Sequence, residues 1–223
     1  MNISSIEKLL AYRYSNPELA LTALTHPSYT AEHGGAHYQR LEYLGDAVLE
    51  LVISDVLYHE LPKMDEGHLT RIRQHLVREE TLYAVAQTLD IAPYVRMSPG
   101  EARTGGREKP SILSDVVEAL IASVYLDGGF DAASEFVRRI MAPYLRPEVL
   151  ADHLDDKSKL QEKLQQLSRM PVYTLEAAEG PDHMPTFTYS VSDGETLLGR
   201  GSGHSKQAAQ QSAAKDALIK LST

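Results

Sequence analysis

The chain has 223 residues, 43% of them apolar, no cysteine and a formal net charge of −9. That length supplies a core for one large domain or two small ones, and the lack of cysteine excludes disulfides, thiolate metal sites and cysteine nucleophiles while fitting a reduced, cytoplasmic compartment. The acidic balance by itself argues against a nucleic-acid partner, but it is uneven: residues 1–153 carry 14 basic and 22 acidic side chains, and residues 154–223 carry 8 and 9.

The first residues, MNISSIEKLL, lack a basic start and a long apolar run, so no signal peptide is expected. The longest apolar run, Ala119 to Leu126, is too short to span a bilayer. Helical periodicity predicts segments near 4–12, 17–25, 37–60, 68–89, 111–126 and 130–144, broken at HGGAH, LPKMDEG, MSPGEARTGGREKP and LDGGF. In RLEYLGDAVLELVISDVLY (40–58), the positions Leu41, Leu44, Val48, Leu49, Val52, Ile53, Val56 and Leu57 make an apolar wall. Glu42 and Asp46 lie four apart beside it. In SILSDVVEALIASVYLDGG (111–129), apolar almost all round, Asp115 and Glu118 lie three apart on one face.

One such pair is ordinarily a solvated face or a partner for arginine, and Arg40, Arg71 and Arg73 are at hand. Two pairs in helices this apolar favour a metal site, because four carboxylates in apolar surroundings cannot all stay ionised unaided. Mg²⁺ and Mn²⁺ prefer carboxylate and water oxygens, and such an ion supports displacement at phosphorus. A metal thereby reconciles an acidic surface with a phosphate-rich partner.

The polar stretch 146–159 reads as a connection, and the pattern then changes. Residues 158–168 predict a short helix, 172–180 and 186–192 alternate as strands, Asp193-Gly194 marks a hairpin, and 195–203 predicts a third strand. Residues 205–222 predict a closing helix with Ala209, Ala213, Ala217 and Leu218 as its packing stripe. The order α-β-β-β-α suits a small α+β domain.

The motifs LTHPSY, HYQRLEYLGDAVLELVISDVLY, DEGHLTRIRQHLV and GGREKPSILSDVVEALIASVYLDGG resemble, in order and spacing, those of the ribonuclease III family. The segments KLQEKLQ, GPDHMPTF and GSGHSKQAAQQSAA resemble the double-stranded-RNA-binding domain that follows the nuclease domain in bacterial members. The resemblance covers nearly the whole chain. It implies a mainly α protein: an all-helical nuclease domain over 1–146, a linker over 147–156 and an RNA-binding domain over 157–223. It implies a homodimer, formed through the nuclease domain, that hydrolyses phosphodiesters in double-stranded RNA with Mg²⁺ or Mn²⁺, leaving 5′-phosphates and staggered 3′ ends. Stems in ribosomal-RNA precursors and some messages are the expected substrates. Neither a membrane nor a small-molecule cofactor is expected.

Carried over residue by residue, Glu42, Asp115 and Glu118 fall on metal ligands. Asp46 falls on the metal-site carboxylate that orders the attacking water or a neighbouring ligand, with Asp46 and Glu118 as the catalytic pair. Glu66 matches an accessory acidic position and equally fits a cap of the helix beginning near His68. Gln39 stands where many members have Glu. In the tail, the amides at the start of the closing helix favour phosphate, with Ser205 and Lys206 as the main contacts; Gln161, Glu162 and Gln165, on one side of the first helix, are either 2′-hydroxyl contacts or an ordinary polar face, and the family pattern puts His183 in a minor groove, with a plain turn histidine as the alternative. The run from Lys206 to Gln210 holds one lysine where two or three are common, which predicts weak binding by the isolated tail and a shallow salt dependence. His26 reads as a structural hydrogen-bonder, Glu50 and Asp55 as solvated, and the loop carrying Arg103, Arg107 and Lys109 either as an RNA contact or as a solvated loop. The rival reading is a non-catalytic RNA-binding protein on the same fold, which would be expected to have lost at least one of the four carboxylates. No HD pair, Walker, HExxH or GxSxG motif is present.

Overall fold

The structure is a computed structural model describing residues 3–62, 64–146, 149–150, 156–181, 185–194 and 196–221. The chain forms two compact units, Met1–Arg146 and Pro147–Thr223. Of the stretch expected to link them, 147–148 and 151–155 lie outside the described residues.

In the first unit the helices are α1 (Ile3–Leu10), α2 (Pro17–Ala23), α3 (Pro27–His33), α4 (Gln39–Glu60), α5 (Glu66–Val77), α6 (Glu79–Leu89), α7 (Pro99–Arg103) and α8 (Pro110–Met141). The pairing of α4 with α8 is the most extensive contact between any two elements. The predicted apolar wall explains it: Leu49, Val52 and Ile53 on α4 and Val116, Leu120 and Ile121 on α8 are all within 1% of full burial. Each such side chain contributes about 1.5–3 kcal/mol by leaving water. No described helix is long and apolar enough to cross a membrane.

Four local expectations are corrected. The single segment predicted over 68–89 is two helices, because Arg78 is extended (φ −69°, ψ 158°) and serves as the end of α5 and the start of α6. The apolar stripe continues on both sides, so periodicity cannot register one residue leaving the helix. Helix α3 was not predicted. It starts at Pro27, a favoured first position, and His26 caps it, its Nδ1 accepting from the Ser28 amide at 3.1 Å; His26 is therefore the structural hydrogen-bonder expected. The loop over 100–110 is folded into α7 and a 3₁₀ turn. Arg107 donates to the carbonyls of Ala92 and Val95 at 2.7 and 2.8 Å, and Lys109 pairs with Glu101 at 2.6 Å, leaving Arg103 exposed. Asp55 accepts from Arg138 at 2.8 Å instead of facing water alone. The break predicted at LDGGF is borne out: Gly129, with φ 80° and ψ −173°, is non-helical and interrupts α8 with a kink that suits a residue without a side chain.

The second unit runs α9 (Asp156–Gln166), β1 (Val172–Glu179), β2 (Thr186–Ser192), β3 (Leu197–Gly203) and α10 (Lys206–Lys220), with the antiparallel sheet in the order β1-β2-β3. It is the α-β-β-β-α arrangement predicted. Leu160, Leu164, Tyr189, Val191 and Leu198 form its core with Ala209, Ala213, Ala214 and Ala217 of α10. A Cβ on Gly199 would lie 2.5 Å from the Ala213 carbonyl oxygen, and one on Gly203 would lie 2.8 Å from the Ala208 Cβ. Strand β3 thus packs almost backbone to backbone on a helix face of alanines.

Candidate metal centre

Helix geometry places Glu42 and Asp46 on adjacent turns of α4, and Asp115 and Glu118 on adjacent turns of α8. What brings the two pairs together is Gly45. A Cβ there would lie 2.5 Å from the Glu118 carbonyl carbon and would collide with its oxygen. The helices therefore cross with α4 backbone against α8 backbone, at the residue between one acidic pair and at the end of the other.

At this crossing one carboxylate oxygen each from Glu42, Asp115 and Glu118 lies within 4.8 Å of the others. All three side chains are half-buried, and Asp46 is exposed at the rim. Burial pushes the Glu118 carboxyl up to about 8, reinforced by Asp46, Asp115 and Glu42. Burial also raises Glu42, with Asp115 and Asp46 adding to it, and raises Asp115. The groups acting on Glu118 are thus all acidic, and the arginine-partner alternative has no support here: Arg73 donates to the Ser54 hydroxyl at 2.9 Å. An all-oxygen, uncompensated donor set fits a hard divalent cation.

Tyr38, at the start of α4, donates its hydroxyl to Asp115 Oδ2 at 3.3 Å. Sequence reasoning missed both this residue and Gly45. A glycine inside a long helix, at a cost of about 1 kcal/mol relative to alanine, was the available signal for Gly45; nothing in the sequence pointed to Tyr38. Glu66 is exposed at the first position of α5 and is not part of the three-carboxylate group. It does not cap that helix: Asp65 does, accepting from the His68 amide at 2.9 Å. Glu66 instead lines a cavity of about 380 Å³ with Leu57, Tyr58, Met64 and Arg73. Large apolar side chains stand exposed along α4 at Tyr43 (83%), Leu51 (56%) and Tyr58 (69%), a spacing of seven and eight that keeps them on one face.

In the second unit, Ser205 caps α10, its hydroxyl accepting from the Ala208 amide at 3.1 Å, and Lys206 is exposed beside it. Gln161 is exposed on α9, and Gln165 is half-buried with its amide 3.8 Å from the Met170 sulfur. The Glu162 side chain and His183 lie outside the described residues. Two lysines are held internally: Lys157 donates to Gln210 at 2.7 Å above the Tyr173 ring, and Lys163 donates to the Leu221 carbonyl at 2.8 Å.

Comparison with known proteins adds to this geometry. Residues 16–145 match the family described as Ribonuclease-III-like, and residues 157–221 match the double-stranded RNA binding motif. A Ribonuclease 3 of Desulforamulus reducens is 48% identical over 95% of this chain and 88% of its own length. A Ribonuclease 3 of Carboxydothermus hydrogenoformans is 43% identical over 97% and 94%. The solved nuclease domain of a ribonuclease III from Campylobacter jejuni, described for flexibility in a region involved in dimer formation, is 39% identical with a TM-score of 0.61. It covers 64% of this chain and 97% of that one.

Proposed function

The chain belongs to the ribonuclease III family, and from that premise we propose that it cuts double-stranded RNA as a Mg²⁺-dependent endonuclease, with Mn²⁺ as a substitute. The observation that carries the metal reading is the meeting of three carboxylate oxygens within 4.8 Å, in apolar helices, with no cationic side chain among the groups acting on them. Glu42, Asp115 and Glu118 are the ligands. A divalent ion bound there supplies positive charge to a phosphoryl oxygen and makes water a stronger nucleophile. Asp46, exposed at the rim, orients the attacking water and accepts its proton. Attack at phosphorus breaks the bond to the 3′ oxygen, which takes up a proton from solvent, leaving a 5′-phosphate and a 3′-hydroxyl. Asp46 and Glu118 are the catalytic pair, and Glu118 is the residue whose loss costs most.

The second unit holds the duplex. A-form RNA is recognised through phosphates and 2′-hydroxyls across its minor groove. Lys206 and the amides at the start of α10 meet phosphate, and Gln161, Glu162 and Gln165 on α9 meet 2′-hydroxyls. His183 is the minor-groove contact, Glu66 an accessory acid. The apolar stripe of Tyr43, Leu51 and Tyr58, beside the cavity that Glu66 lines, supports pairing of two nuclease units. Each copy then cuts one strand, giving staggered 3′ ends. Stems of ribosomal-RNA precursors and some messages are the substrates this reading implies.

Cleavage of a long RNA duplex with Mg²⁺ tests the proposal, with EDTA and Glu118→Ala as controls. Cutting that requires the metal and is lost in the variant is expected. No cutting under any divalent ion would leave the chain as an RNA-binding protein only.

A further inference from the structure

We infer that Tyr38 is a positioning residue of the metal centre: its buried hydroxyl fixes the orientation of the Asp115 carboxylate while its backbone fixes the start of the helix that carries Glu42. The inference rests on the metal reading above.

The geometry is specific to this residue. Tyr38 is 3% exposed, so its ring has no freedom to swing into water. Its amide donates to the Thr25 carbonyl at 3.0 Å. Thr25 is itself fully buried and receives Arg96 Nε at 2.8 Å. The Tyr38 carbonyl accepts from the Glu42 amide at 2.8 Å and the Leu41 amide at 2.7 Å, forming the first turn of α4. The His26 ring lies 5.8 Å from the Tyr38 ring, centroid to centroid. From this fixed base the hydroxyl reaches across to α8 and donates to Asp115 Oδ2. One residue, through its hydroxyl and its backbone carbonyl, therefore ties together the positions of two ligands that are far apart in sequence.

A phenol can donate only one proton. Given to Oδ2, it favours one rotation of a carboxylate that is otherwise free to turn. Among mutually repelling acids, a neutral donor holds that orientation without adding a cation that would compete with the ion. Groups hydrogen-bonded to ligating carboxylates commonly set metal affinity, and their removal costs about 10–100-fold.

The test is Mn²⁺ binding by the full-length protein, followed by EPR as the loss of free-ion signal, in the parent, Tyr38→Phe, Tyr14→Phe and Glu118→Gln. Tyr38→Phe keeps the ring and removes only the hydroxyl. Tyr14→Phe removes another buried phenol, one bonded to Ser123 at 2.7 Å, and reports general loosening. The expected result is Mn²⁺ binding weakened about 10-fold or more in Tyr38→Phe and unchanged in Tyr14→Phe. The Mg²⁺ concentration for half-maximal duplex cleavage should rise by the same factor, while the rate at saturating Mg²⁺ stays within about threefold of the parent. Mn²⁺ affinity equal to the parent in Tyr38→Phe, or equally reduced in both phenol variants, overturns the inference. If Glu118→Gln leaves Mn²⁺ binding untouched, the metal reading itself fails and the inference falls with it.

Discussion

Replacing Gly45 with alanine perturbs the helix crossing at one point. The added methyl would collide with the Glu118 carbonyl oxygen and sit 2.5 Å from its carbon, where ordinary contact begins at 3.4 Å, so the two backbones must part by at least about 0.9 Å, and by more to clear the oxygen. Neither side can yield by rotating a side chain, because the obstacle is the α8 main chain. The ligand oxygens of Glu42 and Glu118 ride on those backbones and move apart with them. A misplacement near 1 Å costs on the order of 100-fold in rate, and overpacking costs about 1–3 kcal/mol, offset by roughly 1 kcal/mol from replacing glycine within a helix. Gly45→Ala should therefore lose at least about 100-fold in duplex cleavage and in the Mg²⁺ dependence of that cleavage. Its melting temperature should fall by only a few degrees, at about 2–4 °C per kcal/mol for a chain of this size. Gly100→Ala, whose methyl would meet nothing closer than the Ser98 hydroxyl at 3.7 Å, is the control. A Gly45→Ala protein with parental rate and metal dependence would refute the claim that this crossing sets the ligand spacing.

In the absence of divalent ions, Glu118→Gln should stabilise the folded chain in a pH-dependent way. The folded carboxyl titrates near 8 and the unfolded one near 4.5. Below 4.5 both states hold the proton; between these values only the folded state does, so the parent loses stability as pH rises and levels off above 8. Melting curves should coincide near pH 4 and diverge by pH 9, with the variant ahead by at most about 3 kcal/mol after partial screening; coincidence at pH 9 would contradict the burial of this carboxyl and the acidic repulsion that reinforces it. Gln207→Lys, at an exposed position one residue beyond Lys206, should tighten duplex binding and steepen the logarithmic salt dependence by up to about 0.9 for one added phosphate contact. A titration with an unchanged slope would place that position away from the RNA. Leu51→Glu, in the exposed stripe of α4, should convert a dimer to a monomer in sedimentation at micromolar concentration. Unchanged sedimentation of a dimer would move the interface elsewhere.

Much of the architecture is legible along the chain because its signals are local. The apolar repeat over 40–58 predicts α4, and alternation at Phe187, Tyr189 and Val191 predicts β2. The stripe Ala209, Ala213 and Ala217 predicts the buried face of α10. The places that escaped such reading are single residues whose conformation or contact depends on distant partners. Arg78 leaves the helix without disturbing the apolar stripe on either side. Arg107, written as a loop cation, is bound to two carbonyls brought to it by the turn at Ala92–Tyr94. The glycines of β3 carry no apolar signal in the sequence, yet they are the condition for its contact with α10.

The sequence by itself determined that two apolar helices each carry a pair of acids on neighbouring turns, because a helical repeat places residues three and four apart on one face. It could not say that the pairs meet. That was decided by the approach of α4 to α8 at Gly45 and by Tyr38 reaching Asp115, 77 positions away in sequence. Local periodicity sets the direction of a side chain about its own helix axis; the distance between two axes depends on what lies between them, and here that is a missing side chain.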